Sequence, residues 1–360
     1  MMYSKDDLFL IWLDSFSGFE YKHKAYLFDK YKKANYQSLT DFINDNKPYF
    51  VEHINENAHN TLLKSCNKDY LNYIIDGLNK KGVNFITISN EKYPKEFLDT
   101  PCPPLVIYYD GNIELLTSQK FTVVGSRKSL PFAIGKATEI TNDLIDNGFT
   151  LVTGIAEGVE TAIIKSSLKT GKVISILAGG FNNVYPKSNV NLVEETKSYG
   201  LVISEYPPDT PTEPFHYFAR NRLLAALGKG VLVISGGIKS GTGLTANYAV
   251  DYGKDVFALP YSVNVASGAG CNELIKQGAI LTTSSDDILR FYSIEKKVKK
   301  EIELNPLQSE VYEIIKKENV HIDKLCALTG KKVNELMPVL MVLEIKKLIV
   351  KNAGNIFCAI

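Results

Sequence analysis

Residues 204–245 place Arg220, Asn221, Arg222 and Lys239 beside the closely spaced glycines Gly236, Gly237, Gly241 and Gly243, around what reads as one strand-to-helix turn. Cations and glycine amides in this pattern hold phosphates, because guanidinium forks match phosphate oxygens and the N–H groups at a helix start face an anion. Two other turns add to the set. GSRKS at 125–129 ends an apolar run, with the amide of Ser126 exposed and Arg127 ready to fork onto a phosphate, and VYPKSN brings in Lys187. Residues 241–246 satisfy the G-x-G-x-x-A pattern of dinucleotide sites, but the next strand, DVFALP, ends without the carboxylate a ribose needs. No glycine directly precedes Lys239, so this is not a Walker A loop. An anion nest with Lys239 at its mouth remains.

Groups for bond cleavage are harder to find. Glu157 and Glu160 lie three apart at a helix start, where paired carboxylates could serve acid–base work, but acids there are also ordinary partners of the helix dipole. Ser126 and Ser240 have no histidine placed beside them, and His216, among aromatics, reads as packing. The five cysteines (Cys66, Cys102, Cys271, Cys326, Cys358) are odd in number and form no CxxC pair, and the five histidines are scattered. Neither a disulfide framework nor a metal centre is expected, and no cofactor. One geometric warning attaches to Arg220 and Arg222. On a regular helix they point about 200° apart, so both reach one ligand only if the first turn is irregular.

These residues must be positioned by a chain of 360 residues, 45% apolar and 22% charged, long enough for two or three cores. Residues 1–80 carry apolar residues at three- and four-residue spacing and predict short helices. A proline-rich connector follows over 81–120, in which LVIYY predicts an edge strand. From 121 to 290, short apolar runs alternate with amphipathic stretches. Strands are expected at 121–125, 150–154, 173–178, 201–206, 231–235 and 255–259, and helices at about 132–147, 158–170, 190–198, 217–228, 242–252 and 271–277. That alternation implies an α/β fold with a Rossmann-like, mostly parallel sheet, whose ligands sit at the carboxyl ends of strands. A lysine-rich linker at 291–305 leads to three helices and a hairpin turning at 352–354, the order of a winged helix. No run approaches the roughly 20 apolar residues of a membrane helix, and MMYSKDDLFLIWLD lacks signal-peptide features, so a cytoplasmic protein is expected. Net charge is only +1, which excludes a generally basic surface and makes any anion site local.

The motifs GSR, YPK, SEYPP, RNR, KSG and GCN-LI-GA, in that order over 121–288, closely resemble the DNA-processing protein A (DprA/Smf) family, and the resemblance extends to the YP…PCPPLVIYYDG connector and to the C-terminal winged-helix-like part. The N-terminal helices resemble a degenerate SAM or helix-hairpin-helix domain, with only Gly18 of the usual glycine hairpin. The resemblance implies a non-enzymatic, dimeric protein that binds single-stranded DNA, protects incoming DNA during natural transformation and helps load the RecA recombinase. The family's basic pocket maps onto Arg127, Lys187, Arg220, Arg222 and Lys239, with Asn221 and the amides of Ser126 and Gly241 beside them, and Phe218 is a candidate for base stacking. This chain departs from the family's GLARGID-x-x-AH-like segment with GIAEGVETAII, putting Glu157 for a basic residue, Glu160 for aspartate and Ile164 for histidine. The core also resembles the lysine-decarboxylase-like nucleotide-processing enzymes, which use a PGG-x-GT turn. An enzyme using the same pocket is the alternative.

Overall fold

The computed structural model describes all residues except 1–2, 17–18, 35, 37, 54–55, 298–303, 347, 353 and 360, together with the side chains of 56–58. Gly18 and the central residue of the 352–354 turn therefore lie outside the described residues. The chain divides into two compact units, 1–296 and 297–360.

The first unit opens with helices α1 (Lys5–Asp14), α2 (Tyr21–Ala34), α3 (Leu39–Asp45), α4 (Lys47–His53), α5 (Glu56–Ser65) and α6 (Lys68–Lys80). Ser4 starts α1 through a capping box with Asp7, each side chain satisfying the other's free backbone N–H. The same Asp7 carboxylate accepts a 2.6 Å hydrogen bond from Thr87 Oγ1. Farther along α1, Tyr108 donates to Asp14 at 2.7 Å, so both ends of the helix are tied to the sheet.

Among the described residues a nine-stranded sheet is built from β1 (Asn84–Thr87), β2 (Val106–Gly111), β3 (Lys120–Val124), β4 (Thr150–Thr153), β5 (Val173–Ile176), β6 (Leu201–Ser204), β7 (Gly230–Val233), β8 (Asp255–Ala258) and β9 (Ile280–Leu281). Its order is β1-β2-β6-β5-β4-β3-β7-β8-β9. Strands β3 to β9 pair in parallel, whereas β1–β2 and β2–β6 are antiparallel. The LVIYY run is β2 and is not an edge strand, because β1 pairs outside it, with Phe85 opposite Tyr108. The strand at 84–87 has only four residues and no alternating pattern to announce it.

Helices α7 (Pro131–Asp146), α8 (Val159–Ser167), α9 (Val190–Tyr199), α10 (Pro214–Leu227), α11 (Gly241–Asp251), α12 (Ala269–Lys276) and α13 (Ser285–Phe291) connect and cover the strands. Ala133, Ala137, Ile140 and Leu144 of α7 pack with Ile163 and Ile288 in one core. Leu223, Leu224 and Leu227 of α10 pack with Ala246, Ala249 and Cys271 in another. With helices on both faces, strands β3 to β7 are buried at every position, which is why they read as continuous apolar runs. The order places β3 between β4 and β7, so the chain winds one way through β4, β5 and β6 and the other way through β7, β8 and β9. In open α/β sheets the crevice beside such a reversal is where ligands bind.

The second unit comprises α14 (Pro306–Lys317), β10 (Val320–His321), α15 (Ile322–Thr329), α16 (Val333–Ile345), β11 (Ile349–Asn352) and β12 (Ile356–Ala359), with an antiparallel sheet ordered β10-β12-β11. Val311, Ile315, Leu325, Leu336, Leu340, Leu343 and Phe357 form its core. This is the expected winged-helix order.

Candidate nucleic-acid interface

At the carboxyl end of β3 the turns after β3, β4 and β7 meet the first half of α10. They enclose a cleft of about 310 Å³ lined by Ser126, Arg127, Ala156, Glu160, Tyr217, Arg220, Asn221, Gly241 and Thr242. Close backbone approach makes the meeting possible. A Cβ on Gly154 would fall 1.4 Å from Arg220 Nη1, so only glycine leaves room for that guanidinium. Gly158 adopts φ +82° and stands where a Cβ would meet the carbonyls of Ser126 and Arg127 at 2.4–2.7 Å, which locks the second turn against the first.

Helix α10 is regular from Pro214, at its first position, and Glu213 and His216 cap its start reciprocally. Its leucines fix the rotation of the helix against the sheet, so Arg220 and Arg222 diverge as the spacing warned. Arg220 enters the cleft, 5% exposed, and forms an ion pair with Glu160 at 3.5 Å. Arg222 does not line the cleft. It pairs with Glu205 in a separate cavity of about 220 Å³ that Asp14, Tyr21 and Lys24 also line. Burial pushes the Glu205 carboxyl up from the usual carboxylate range, against the pull of Arg222.

Inside the cleft Tyr217 lies between two cations, with the Arg127 guanidinium 5.5 Å and that of Arg220 5.7 Å from its ring centroid. Burial raises the Tyr217 phenol, while Arg127 and Arg220 pull it down. Among the described residues, Tyr217 Oη and Arg220 Nε and Nη1 are buried without a hydrogen-bond partner. Asn221 Nδ2 donates to the Gly241 carbonyl at 3.1 Å, fixing the start of α11 at the cleft wall. Gly241 is the first residue of α11, and Ser240 caps that helix. The Ser126 amide is already used, donating to Ser235 Oγ at 3.0 Å, so of the two expected amides only that of Gly241 is placed to meet an anion.

The two lysines lie beyond this cleft. Lys239 lines an adjoining one of about 320 Å³, and Ser240 and Thr242 contribute to both. Exposed Lys187 sits on a turn tied to the β4 loop, for Ser188 Oγ donates to Glu157 Oε1 at 2.9 Å and Asn189 Nδ2 to the Ile155 carbonyl at 2.8 Å.

A family model described as DNA recombination-mediator protein A matches residues 84–293, more than half of the sequence. The chain belongs to that family. A second model, the DprA winged helix domain, matches residues 295–355. The chain is 34% identical to the DNA processing protein DprA of Bacillus subtilis, covering 60% of this chain and 73% of that one. It is 36% identical to the DprA of Streptococcus pneumoniae over 56% and 72% of the two chains. Among solved structures it is similar to the S. pneumoniae DprA (26% identity, TM-score 0.68, covering 83% of this chain and all of that one). It is also similar to the Helicobacter pylori protein, whose structure describes the single-stranded DNA binding mode of that protein (29% identity, TM-score 0.54, covering 58% and 96%).

The DprA match starts at residue 84 and so takes in β1 and β2, the connector to which the sequence resemblance extends. Of the three positions at which this chain departs from the DprA pattern, only Glu160 lines the cleft, where it accepts from the Ala156 amide at 2.8 Å and faces Arg220. Exposed Glu157 is held by Ser188, and Ile164 is fully buried in the core beneath the helical layer. Sequence reasoning missed Tyr217, Ser235 and Gly154. Tyr217 stands three before Arg220, which puts both on one face of a helix, and that spacing could have found it.

Proposed function

We propose that this chain binds single-stranded DNA, with Arg127, Arg220 and the Gly241 amide taking one phosphate and Lys239 and Lys187 taking neighbouring ones along the strand. The observation that carries this reading is buried Arg220, whose Nε and Nη1 have no acceptor among the described residues. A buried guanidinium needs an anion that accepts its hydrogen bonds, and Glu160 supplies charge without supplying them. The strand is read as single because exposed aromatic side chains stand on the helix and the turn that carry the cationic residues, α10 and the Lys187 turn. Phe218 is 57% exposed, and Phe215 and Tyr185 are also exposed. Unstacked bases lie on such rings, whereas a duplex keeps its base faces to itself. The H. pylori relative supports the same ligand.

Family membership extends the proposal to protection of incoming DNA in natural transformation, loading of the RecA recombinase, and action as a homodimer. The enzyme alternative has less support. Glu160, the one carboxylate lining the cleft among the described residues, is engaged with Ala156 and Arg220, and His216 serves as a helix cap.

Binding of a labelled unstructured oligonucleotide, followed by fluorescence anisotropy across a salt series, tests the proposal. Arg127→Ala and Lys239→Ala should each weaken binding and lower the salt slope by about one. Absence of binding at low salt, or two variants indistinguishable from the parent, overturns it.

A further inference from the structure

The cleft that Lys239 borders adjoins the phosphate cleft and shares Ser240 and Thr242 with it. Phosphate binding uses the lysine at its mouth and leaves about 320 Å³ of interior without a role. That interior lies between α11 and α12, with Val233 at the carboxyl end of β7 as its floor. Leu244 and Leu274 wall it, and Ile238, 70% exposed, stands on the turn beside Lys239. Asn247, Glu273 and Gln277 supply its polar groups. An anion has no use for apolar walls, and the Glu273 carboxylate would repel a second phosphate. Apolar walls with a few hydrogen-bonding groups suit a planar heterocycle instead, and the volume is within the range of small-ligand sites.

We propose that this cleft takes the base of the nucleotide next to the phosphate held at Gly241, and that Glu273 favours guanine there; the assignment rests on the phosphate reading above. A carboxylate only accepts hydrogen bonds. Guanine presents its N1–H and its N2 amino group side by side, a donor pair that matches the two carboxylate oxygens. Adenine and cytosine present one amino group beside a ring acceptor, and thymine presents one N–H between two carbonyls that a carboxylate repels. Glu273 has two neighbours of its own on α12. Gln277 Nε2 donates to its Oε1 at 3.0 Å, and Lys276, whose side chain is 77% exposed, stands 3.9 Å from its Oε2, beyond hydrogen-bond reach. Each carboxylate oxygen accepts about two hydrogen bonds, so the bond from Gln277 orients the group and leaves both oxygens able to receive a base edge. The Glu273 side chain is 44% exposed, and water competes there for the same bonds. The preference is therefore modest and is added to a phosphate affinity that every sequence shares.

The test uses the full chain and labelled strands of about 15 nucleotides, followed by fluorescence anisotropy at one salt concentration. An all-thymine strand is compared with one carrying a few isolated guanines, and with a third in which inosine, lacking the N2 amino group, replaces each guanine. The guanine strand should bind about fivefold tighter than the thymine strand, and inosine should forfeit most of that gain. Glu273→Ala should bind the guanine and thymine strands equally, with no loss of affinity for thymine. Equal affinity of the parent for thymine and guanine strands overturns the base assignment and leaves the phosphate reading standing. A preference that survives inosine, which probes the same contact without any substitution in the protein, or that survives Glu273→Ala, also overturns it. Failure of the parent to bind any strand overturns both readings.

Discussion

Arg220 Nη1 stands 3.5 Å from Glu160 Oε2, close enough for an ion pair, yet no hydrogen bond joins them. The carboxylate offsets part of the positive charge in the cleft and leaves the directional capacity of the guanidinium unused. An incoming phosphate therefore meets attraction from Arg220 and repulsion from Glu160. Glu160→Gln should raise affinity for a single-stranded oligonucleotide about fivefold, the effect of removing one like charge a few ångströms away in a partly solvated site. The amide oxygen can still accept from Ala156, so thermal unfolding should hardly change. Titration of the purified variant at fixed salt checks the first, and a thermal melt of the same variant checks the second.

Gly154→Ala is the sharpest steric test. The added methyl would overlap Arg220 Nη1 at 1.4 Å and crowd Glu160 Oε2 at 2.4 Å, so the arginine must leave its place and its partner carboxylate must shift while the fold stays. Oligonucleotide affinity should fall about tenfold, as for Arg220→Ala, with circular dichroism unchanged. Normal affinity in a folded Gly154→Ala protein would show that the buried position of Arg220 is not the binding one.

Arg222 should behave in the opposite way to Arg127. It lies outside the cleft and holds Glu205, whose carboxyl burial already pushes up. Arg222→Met would leave that carboxyl buried without its partner and cost about 3 kcal/mol of stability, read as a lower urea midpoint. Affinity of the folded fraction should stay within about twofold of the parent.

Acid should loosen the start of α10. His216 is buried, packs tilted against the Tyr206 ring with centroids 4.1 Å apart and accepts from the Glu213 amide through Nδ1, which requires that nitrogen to be unprotonated. Burial pushes its pKa below the ordinary 6.5. The unfolded chain thus takes up the proton first. Stability is complete above pH 6.5 and declines as pH falls from there toward the folded value, by at most about 1.4 kcal/mol per pH unit. Urea unfolding at pH 7.5, 6.5 and 5.5 should show this decline, and His216→Gln should flatten it.

The parallel core was legible because fully buried strands alternate with amphipathic helices, and the phosphate character of the cleft because arginines and glycines cluster at strand ends. The divergence of Arg220 and Arg222 was legible as an angle, although the choice between them needed the leucines that set the rotation of α10. What stayed hidden depends on contacts distant in sequence. Ser235 takes the Ser126 amide from 109 residues away, and β1 takes the outer edge of β2 through pairing that a four-residue run cannot advertise.

Helix α10 carries one guanidinium that faces the cleft and, two residues on, another that faces the Glu205 cavity, and this makes its length before Arg220 an inviolable count. Deleting or inserting one residue between Glu213 and Arg220 would turn the end of the helix by about 100° and misdirect both groups together. Loops elsewhere in the chain can lengthen or shorten, but this stretch tolerates exchange of residues and not a change in their number.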